Sequence, residues 1–243
     1  MIKKPDIAVL YHIFYEDSCE LVCQELQALH IYDPFFLFNI CAETPEKITI
    51  SKTLKAFFPN CFIITTSNIG KDIGAKFALF KLFLQLEIQA DFLLFLHDKK
   101  SLQALKSSTW KNDLLRIVSA EGIQNTIEIF EKNEACGIVG AKEYVIKEPF
   151  ENNELIASNG KILHRLLKEY NINLASYEFV AGTMFWARAL PLKSFFSQYD
   201  PLEIRKTLED GNVIDNFSGT ITHSWERLLN WIITGNGYNI KGI

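Results

Sequence analysis

The sequence has 243 residues, 48% of them hydrophobic and 13% aromatic, and carries a formal net charge of -4. That apolar content supports a sizeable core and excludes a disordered chain, while the acidic balance argues against a dedicated nucleic-acid binder, which carries a basic surplus. The five cysteines (19, 23, 41, 61 and 136) are odd in number and include no CxxC pair, so they read as reduced thiols of a cytosolic protein, not as a disulfide framework or a zinc site.

In chain order, DIAVLYHI (6–13) is a continuous β-rich run bounded by Pro5 and reads as a buried strand. EDSCELVCQELQALHIY (16–32) reads as an amphipathic helix, with Leu21, Val22, Leu26 and Leu29 on one side and Asp17 or Ser18 as N-cap. PFFLFNI (34–40) is a second strand, EKITISKTLKAFF (46–58) a helix weakened by β-branched residues, and CFIITT (61–66) a third strand. SNIGKDIG (67–74) is expected as a loop, AKFALFKLFLQLEI (75–88) as a strongly apolar helix, and DFLLFLH (91–97) as a fourth strand. A long helical region from Trp110 to Asn133 then precedes CGIVGA (136–141), a fifth short strand.

Residues 142–175 are polar and read as loop plus one helix over about 161–170. YEFVAGTMFWARAL (177–190) is strand-like but interrupted at Gly182, and HSWERLLNWII (223–233) is an amphipathic helix. No signal peptide is read, and no apolar run approaches the roughly 18 residues of a membrane span. The Phe- and Leu-rich stretch 77–96 is broken by Lys81, Gln85, Glu87, Gln89 and Asp91, so membrane contact is expected to be peripheral at most. Alternating strands and helices predict an α/β fold: a mostly parallel central sheet with helices on both faces, in a single domain. Ligands of such sheets bind beyond the carboxyl ends of the strands.

Four stretches carry candidate chemistry. In SNIGKDIG, backbone N–H groups at a helix start can hold an anion, and Lys71 and Asp72 can share a cleft, although a tight turn explains Gly70 and Gly74 equally well. In HDKKS, Lys99 and Lys100 can offset diphosphate charge, Asp98 can hold a divalent cation or a sugar hydroxyl, and His97 can donate a hydrogen bond or relay a proton; the alternative is a solvated turn. In VAGTMFWAR, Gly182 and Thr183 suggest a bulge or a close approach to a ligand, Trp186 could stack on a sugar, and Met184 and Phe185 read as core. In HSWERLLNW, His223 and Glu226 share a helix face and Glu226 could act as general base; the alternative is a capping arrangement with a surface ion pair to Arg227.

Taken together and in order, AVLYHIFY, NIGKDIG, FLLFLHDKKS, GIVGA, AGTMFWAR and HSWERLL resemble the rhamnan synthesis F family, over nearly the whole chain. The resemblance implies a GT-A-like (Rossmann-like) glycosyltransferase of bacterial surface polysaccharide or lipopolysaccharide, with a nucleotide-sugar-binding half at about 1–140 and an acceptor-side half at about 141–243. It implies that Tyr11 and His12 border the nucleotide and that Asn68, Gly70, Lys71 and Asp72 contact nucleotide or sugar. His97, Asp98, Lys99 and Lys100 would face the diphosphate, Gly182, Thr183, Trp186 and His223 the acceptor, and Glu226 would be the catalytic base. The family pattern is HTKKS, and Asp98 stands where it has Thr. With no DxD motif present, the need for Mg2+ or Mn2+ at Asp98 is left open.

The implied partners are a nucleotide-sugar donor and a lipid-linked glycan acceptor. The implied activity is hexosyl or deoxyhexosyl transfer, rhamnosyltransferase-like, in the cytoplasm at the inner face of the cell membrane. Two other readings compete. One is a catalytically silent glycan- or nucleotide-binding module of a polysaccharide-synthesis assembly. The other is a Rossmann cofactor enzyme, which needs a Gly-rich turn after the first strand where YHIFYED has none.

Overall fold

The structure, a computed structural model, describes residues 4–98, 113–214 and 218–243. The first strand, β1 (Ile7–Ile13), is buried along its whole length, which is why its sequence shows no polar alternation. It is followed by α1 (Cys19–Glu25) and a 3-10 segment over Gln27–Tyr32, so the single helix expected at 16–32 is broken. Ser18 stands at its N-cap position, but its side chain makes no capping bond. The Ser18 hydroxyl lies instead against Tyr15 O (2.7 Å) and the carboxylate of Asp98 (2.6 Å).

Next come β2 (Phe35–Cys41), α2 (Lys47–Phe57), β3 (Phe62–Thr66), α3 (Lys71–Gln85) and β4 (Phe92–His97). Helix α3 starts inside the segment expected to be loop. Gly74 lies in its first turn, packed so tightly that an added Cβ would sit 1.8 Å from Ile69 O. A 3-10 turn at Arg116–Val118 leads into α4 (Ala120–Lys132), whose N-cap Ser119 accepts from Gly122 N at 3.0 Å. Residues 113–115 are helical too, so the helical region expected from Trp110 is interrupted at Ser119, and residues 110–112 lie outside the described residues. β5 (Cys136–Gly140) follows as expected.

The later region is richer than its polar sequence indicated. It holds β6 (Val145–Lys147), the small hairpin β7 (Phe150–Glu151) and β8 (Glu154–Leu155), α5 (Gly160–Glu169), β9 (Glu178–Val180) and β10 (Phe185–Arg188). Then come α6 (Ala189–Gln198), α7 (Pro201–Arg205), α8 (Ile221–Thr234) and β11 (Asn239–Gly242). Of these, α6, α7 and β11 have no counterpart in the sequence reading.

The central sheet runs β11-β5-β10-β4-β1-β2-β3. Only β10 is antiparallel, pairing Phe185 with Phe95 on β4 and with Gly140 on β5. Side chains alternate across the pleat, and the sheet therefore divides two apolar layers. Tyr11, Phe38, Leu94 and Trp186 face α1, α2 and α4, whereas Leu10, Leu37, Phe95 and Phe185 face α3, α5, α6 and α8. Strands from both halves of the chain share one sheet and two continuous cores, which is the α/β architecture the alternation of elements led us to expect.

Candidate functional site

A cleft of about 260 Å³ lies beyond the carboxyl end of β4, between the first turn of α3, the 181–183 turn and the first turns of α8. The first wall is set by the chain reversal after β3. Gly70 adopts φ 72°, a left-handed conformation natural only to glycine, and an added Cβ there would approach Leu208 Cδ1 to 2.2 Å. Its N–H donates to Glu209 O (2.8 Å), and Asn68 Nδ2 donates to Asn212 Oδ1 (3.2 Å). Lys71, also left-handed at φ 53°, donates to Val213 O (3.3 Å) and lines the cleft.

One turn further along α3 lies a residue that the sequence reading passed over. Lys76 is 1% exposed, and its Nζ sits 2.8 Å from Asp72 Oδ2, 2.6 Å from Thr183 Oγ1 and 3.2 Å from His97 Nδ1. Asp72 also accepts from the Thr183 hydroxyl (2.5 Å) and lies 3.5 Å from His97 Nδ1. Burial pushes the Asp72 carboxyl up, but Lys76, then His97 and the hydrogen bonds outweigh it and hold the group well below the usual carboxylate range. Burial pushes the Lys76 ammonium down, and Asp72 and Glu226 oppose that shift. The signal in the sequence was the Asp72/Lys76 i,i+4 spacing on a helix whose remaining inward residues, Ile73, Phe77 and Phe80, are apolar.

His12, beside His97 in the β1–β4 register, is 5% exposed and bonds through Nδ1 to Asn39 Nδ2 at 2.9 Å. Burial lowers its pKa to about 4, with Asp72 working against that shift and Lys76 adding to it. Above pH 6.5 the ring is neutral in the folded and unfolded chains alike. As pH falls toward 4 the unfolded chain takes up a proton that the folded one refuses. Stability should drop by about 3 kcal/mol over that window. Urea denaturation at pH 7.5 and pH 4.5 should show this loss in the parent protein and a smaller one in His12→Gln; equal losses would exclude His12 as the source.

The opposite wall is the 181–183 turn and α8. Gly182 (φ 82°) and Thr183 (φ 53°) are both left-handed, and for a β-branched residue this is a true outlier. Thr183 stays there because its hydroxyl is held between Lys76 and Asp72. Gly182 N–H donates to Glu226 Oε1 (2.7 Å), and Glu226 Oε2 accepts from Arg227 Nη1 (2.7 Å). Arg227 is itself anchored by Glu148 Oε2 (3.0 Å) and lies over the Phe179 ring at 4.5 Å. Helix α8 is capped by Thr220, whose hydroxyl oxygen accepts from His223 N (3.0 Å) and contacts His223 Nδ1 (2.6 Å). Glu209 takes the next two N–H groups, those of Ile221 and Thr222 (2.6 and 2.8 Å).

A family model for Rhamnan synthesis protein F matches residues 1–238. The chain belongs to the rhamnan synthesis protein F family. No curated protein matches it in sequence. Among solved structures, this family member is similar to the mannosyltransferase PcManGT from Pyrobaculum calidifontis in complex with GDP-Man and Mn2+. The identity is 11% and the TM-score 0.43, over 100% of this chain and 55% of the other. It is also similar to S. aureus TarS 1-349 in complex with UDP, at 11% identity and TM-score 0.40, over 83% and 54% of the two chains. The chain thus spans about half the length of each of these structures.

The fold brings Lys71, Asp72, His97, Gly182, Thr183, His223 and Glu226 of this rhamnan synthesis F protein to one cleft, from four separate segments. Other expected site residues go elsewhere. Tyr11 is 1% exposed on the α1 side of the sheet, where its hydroxyl donates to Glu25 Oε2 (3.0 Å). Trp186 is fully buried in the same layer and donates to Ile117 O (3.0 Å), so it is core and cannot stack on a sugar. Asn68 and Gly70 serve the docking of the 208–212 segment and do not line the cleft. Lys99 and Lys100 lie outside the described residues.

Asp98 does not line the cleft either. It turns back under the β1–α1 connection, where it accepts from Phe14 N (2.9 and 3.0 Å), Tyr15 N (2.8 Å) and Ser18 Oγ. A carboxylate so engaged has few lone pairs for a cation. Among the described residues no group of three His, Cys, Asp or Glu side chains is placed to hold a metal ion. The Mg2+ or Mn2+ site expected at Asp98 therefore does not fit these residues. Asp98→Ala should lower stability by about 3 kcal/mol, because two partly buried N–H donors and the buried Ser18 hydroxyl lose charge-assisted bonds. Chemical denaturation would measure that loss, and an unchanged midpoint would remove this anchoring role.

Proposed function

We propose that this rhamnan synthesis F protein is a glycosyltransferase. It moves a sugar from a nucleotide-diphosphate donor to a growing bacterial surface glycan. The observation that carries this reading is the convergence of Glu226, the Gly182–Thr183 turn and the Asp72–Lys76–His97 cluster on one cleft at the carboxyl end of β4. Family membership supports a role in polysaccharide synthesis. Rhamnose as the transferred sugar, a lipid-linked acceptor and a cytoplasmic setting at the inner face of the membrane belong to the same proposal. Among the described residues no helix is long and apolar enough to cross a membrane.

In this mechanism Glu226 takes the proton of an acceptor hydroxyl as its oxygen bonds to the anomeric carbon of the donor, and the bond to the diphosphate breaks. Gly182 N–H and Arg227 fix the carboxylate's orientation, and each of its oxygens keeps a lone pair for the acceptor. Asp72 suits the base role less well, since a carboxylate held far below its ordinary range is a weak proton acceptor. His97 and Lys71, at the cleft wall, are the polar groups available to the departing diphosphate.

The commitment of Asp98 to the β1–α1 connection favours a second reading, a binding module without turnover. Thermal shift against nucleotide diphosphates and nucleotide sugars, followed by sugar-transfer assays with and without Mn2+, separates the two. A true donor should raise the melting temperature with the logarithm of its concentration. Binding without cleavage or transfer of any donor would establish the module and end the transferase reading.

A further inference from the structure

We infer that Lys76 is a positioning residue that locks His97 as the neutral tautomer protonated on Nε2, a hydrogen-bond donor and not a proton relay. The argument is a count of hydrogens. A lysine ammonium has three N–H donors and no acceptor. Lys76 is completely enclosed and has three polar neighbours at bonding distance: Asp72 Oδ2, Thr183 Oγ1 and His97 Nδ1. One N–H goes to each. Thr183 Oγ1, accepting from the ammonium, gives its own proton to Asp72, 2.5 Å away. His97 Nδ1 must then be the unprotonated nitrogen, and the ring proton is left on Nε2.

Placing the proton on Nδ1 instead would set two donors face to face at 3.2 Å, while Asp72 Oδ2 lies 3.5 Å from that nitrogen and only 2.8 Å from Lys76 Nζ. The other charged or titratable groups around the ring are His12 on the neighbouring strand and, across the cleft, Lys71, His223 and Glu226.

An imidazole fixed this way can act at Nε2 only as a hydrogen-bond donor. Resting on the transferase reading, it donates to a phosphoryl oxygen of the departing nucleoside diphosphate, and the assignment of a proton-relay role to His97 falls. The tautomer itself does not depend on that reading.

Long-range 1H–15N correlation NMR on the histidine-labelled protein at pH 7.5, with His97→Gln used to assign the ring, reads the tautomer directly. The expected spectrum has His97 Nδ1 unprotonated and Nε2 protonated. A proton on Nδ1, or on both nitrogens, would overturn the inference. In Lys76→Met/Asp72→Asn, which removes both buried charges together, the lock is gone and His97 should populate both neutral tautomers. Retention of a single Nε2–H form would show that Lys76 does not set it. No turnover enters these readouts, so a failed transfer assay would sink the proposed activity while leaving this result standing. Where transfer is measurable, His97→Gln, which keeps an N–H near the Nε2 position, should stay within about tenfold of the parent while His97→Ala loses about 10²-fold; equal losses would exclude the donor role.

Discussion

Glu226→Gln is expected to lower sugar transfer by about 10² to 10⁴-fold, the span that a positioned general base contributes, while donor affinity stays within a few-fold of the parent. The substitution is close to isosteric. Its carbonyl oxygen can still accept from Gly182 N–H, and Arg227 keeps Glu148 and the His223 carbonyl as partners, so the 181–183 turn and the start of α8 should hold their shape. What the amide cannot do is take up the acceptor's proton. Single-turnover transfer beside equilibrium donor binding makes the distinction: a fall in the chemical step with unchanged binding supports the base, and intact transfer would remove Glu226 from that role. A loss in donor affinity equal to the loss in rate would make Glu226 a binding residue instead.

The second large effect is on stability. Lys76→Met should cost about 3–5 kcal/mol, because it leaves Asp72 charged in a largely enclosed site with its strongest partner gone. For a chain of this size that corresponds to a melting temperature lower by about 10 °C or more. Asp72 is held well below its unfolded value, so its favourable contribution is present above the unfolded carboxylate pKa and is lost as pH falls through the folded one. The comparison therefore belongs at neutral pH, where that contribution is complete.

Lys76→Met/Asp72→Asn should recover most of the loss, since removing both charges leaves neither uncompensated. Two further bonds hang on the pair: Thr183, strained at φ 53°, owes its conformation to Lys76 and Asp72. A single-variant cost below about 1 kcal/mol would contradict a buried, interdependent cluster.

Much of the frame was legible in the residues. The runs at 6–13, 34–40 and 91–97 are too apolar to sit anywhere but inside a covered parallel sheet, the run at 61–66 forms its partly exposed edge strand, and all four strands appear within a residue or so at each end. The interruption at Gly182–Thr183 and the amphipathic pattern of 223–233 both fall in the wall of the cleft opposite α3. The start of α3 was hidden because its first turn, KDIG, reads as turn chemistry, whereas the close contact of Gly74 with Ile69 O makes glycine necessary within a helix. β11 was missed because four residues at a sheet edge carry too weak a pattern to stand alone.

Sequence by itself determined the α/β alternation, the continuous core strands and the set of polar stretches that end them, because period and apolar run length follow from local geometry. Tertiary structure alone decided which of those polar side chains meet. Alternation along β1 and β10 tells that Tyr11 and His12, or Phe185 and Trp186, point oppositely, but not which layer of the sheet adjoins the cleft. That choice followed from the strand order and from where α3 and α8 pack. It put Tyr11 and Trp186 in the far core, turned Asp98 under the β1–α1 connection, and made Lys76, an unremarked residue of an apolar helix, the centre of the buried charge network.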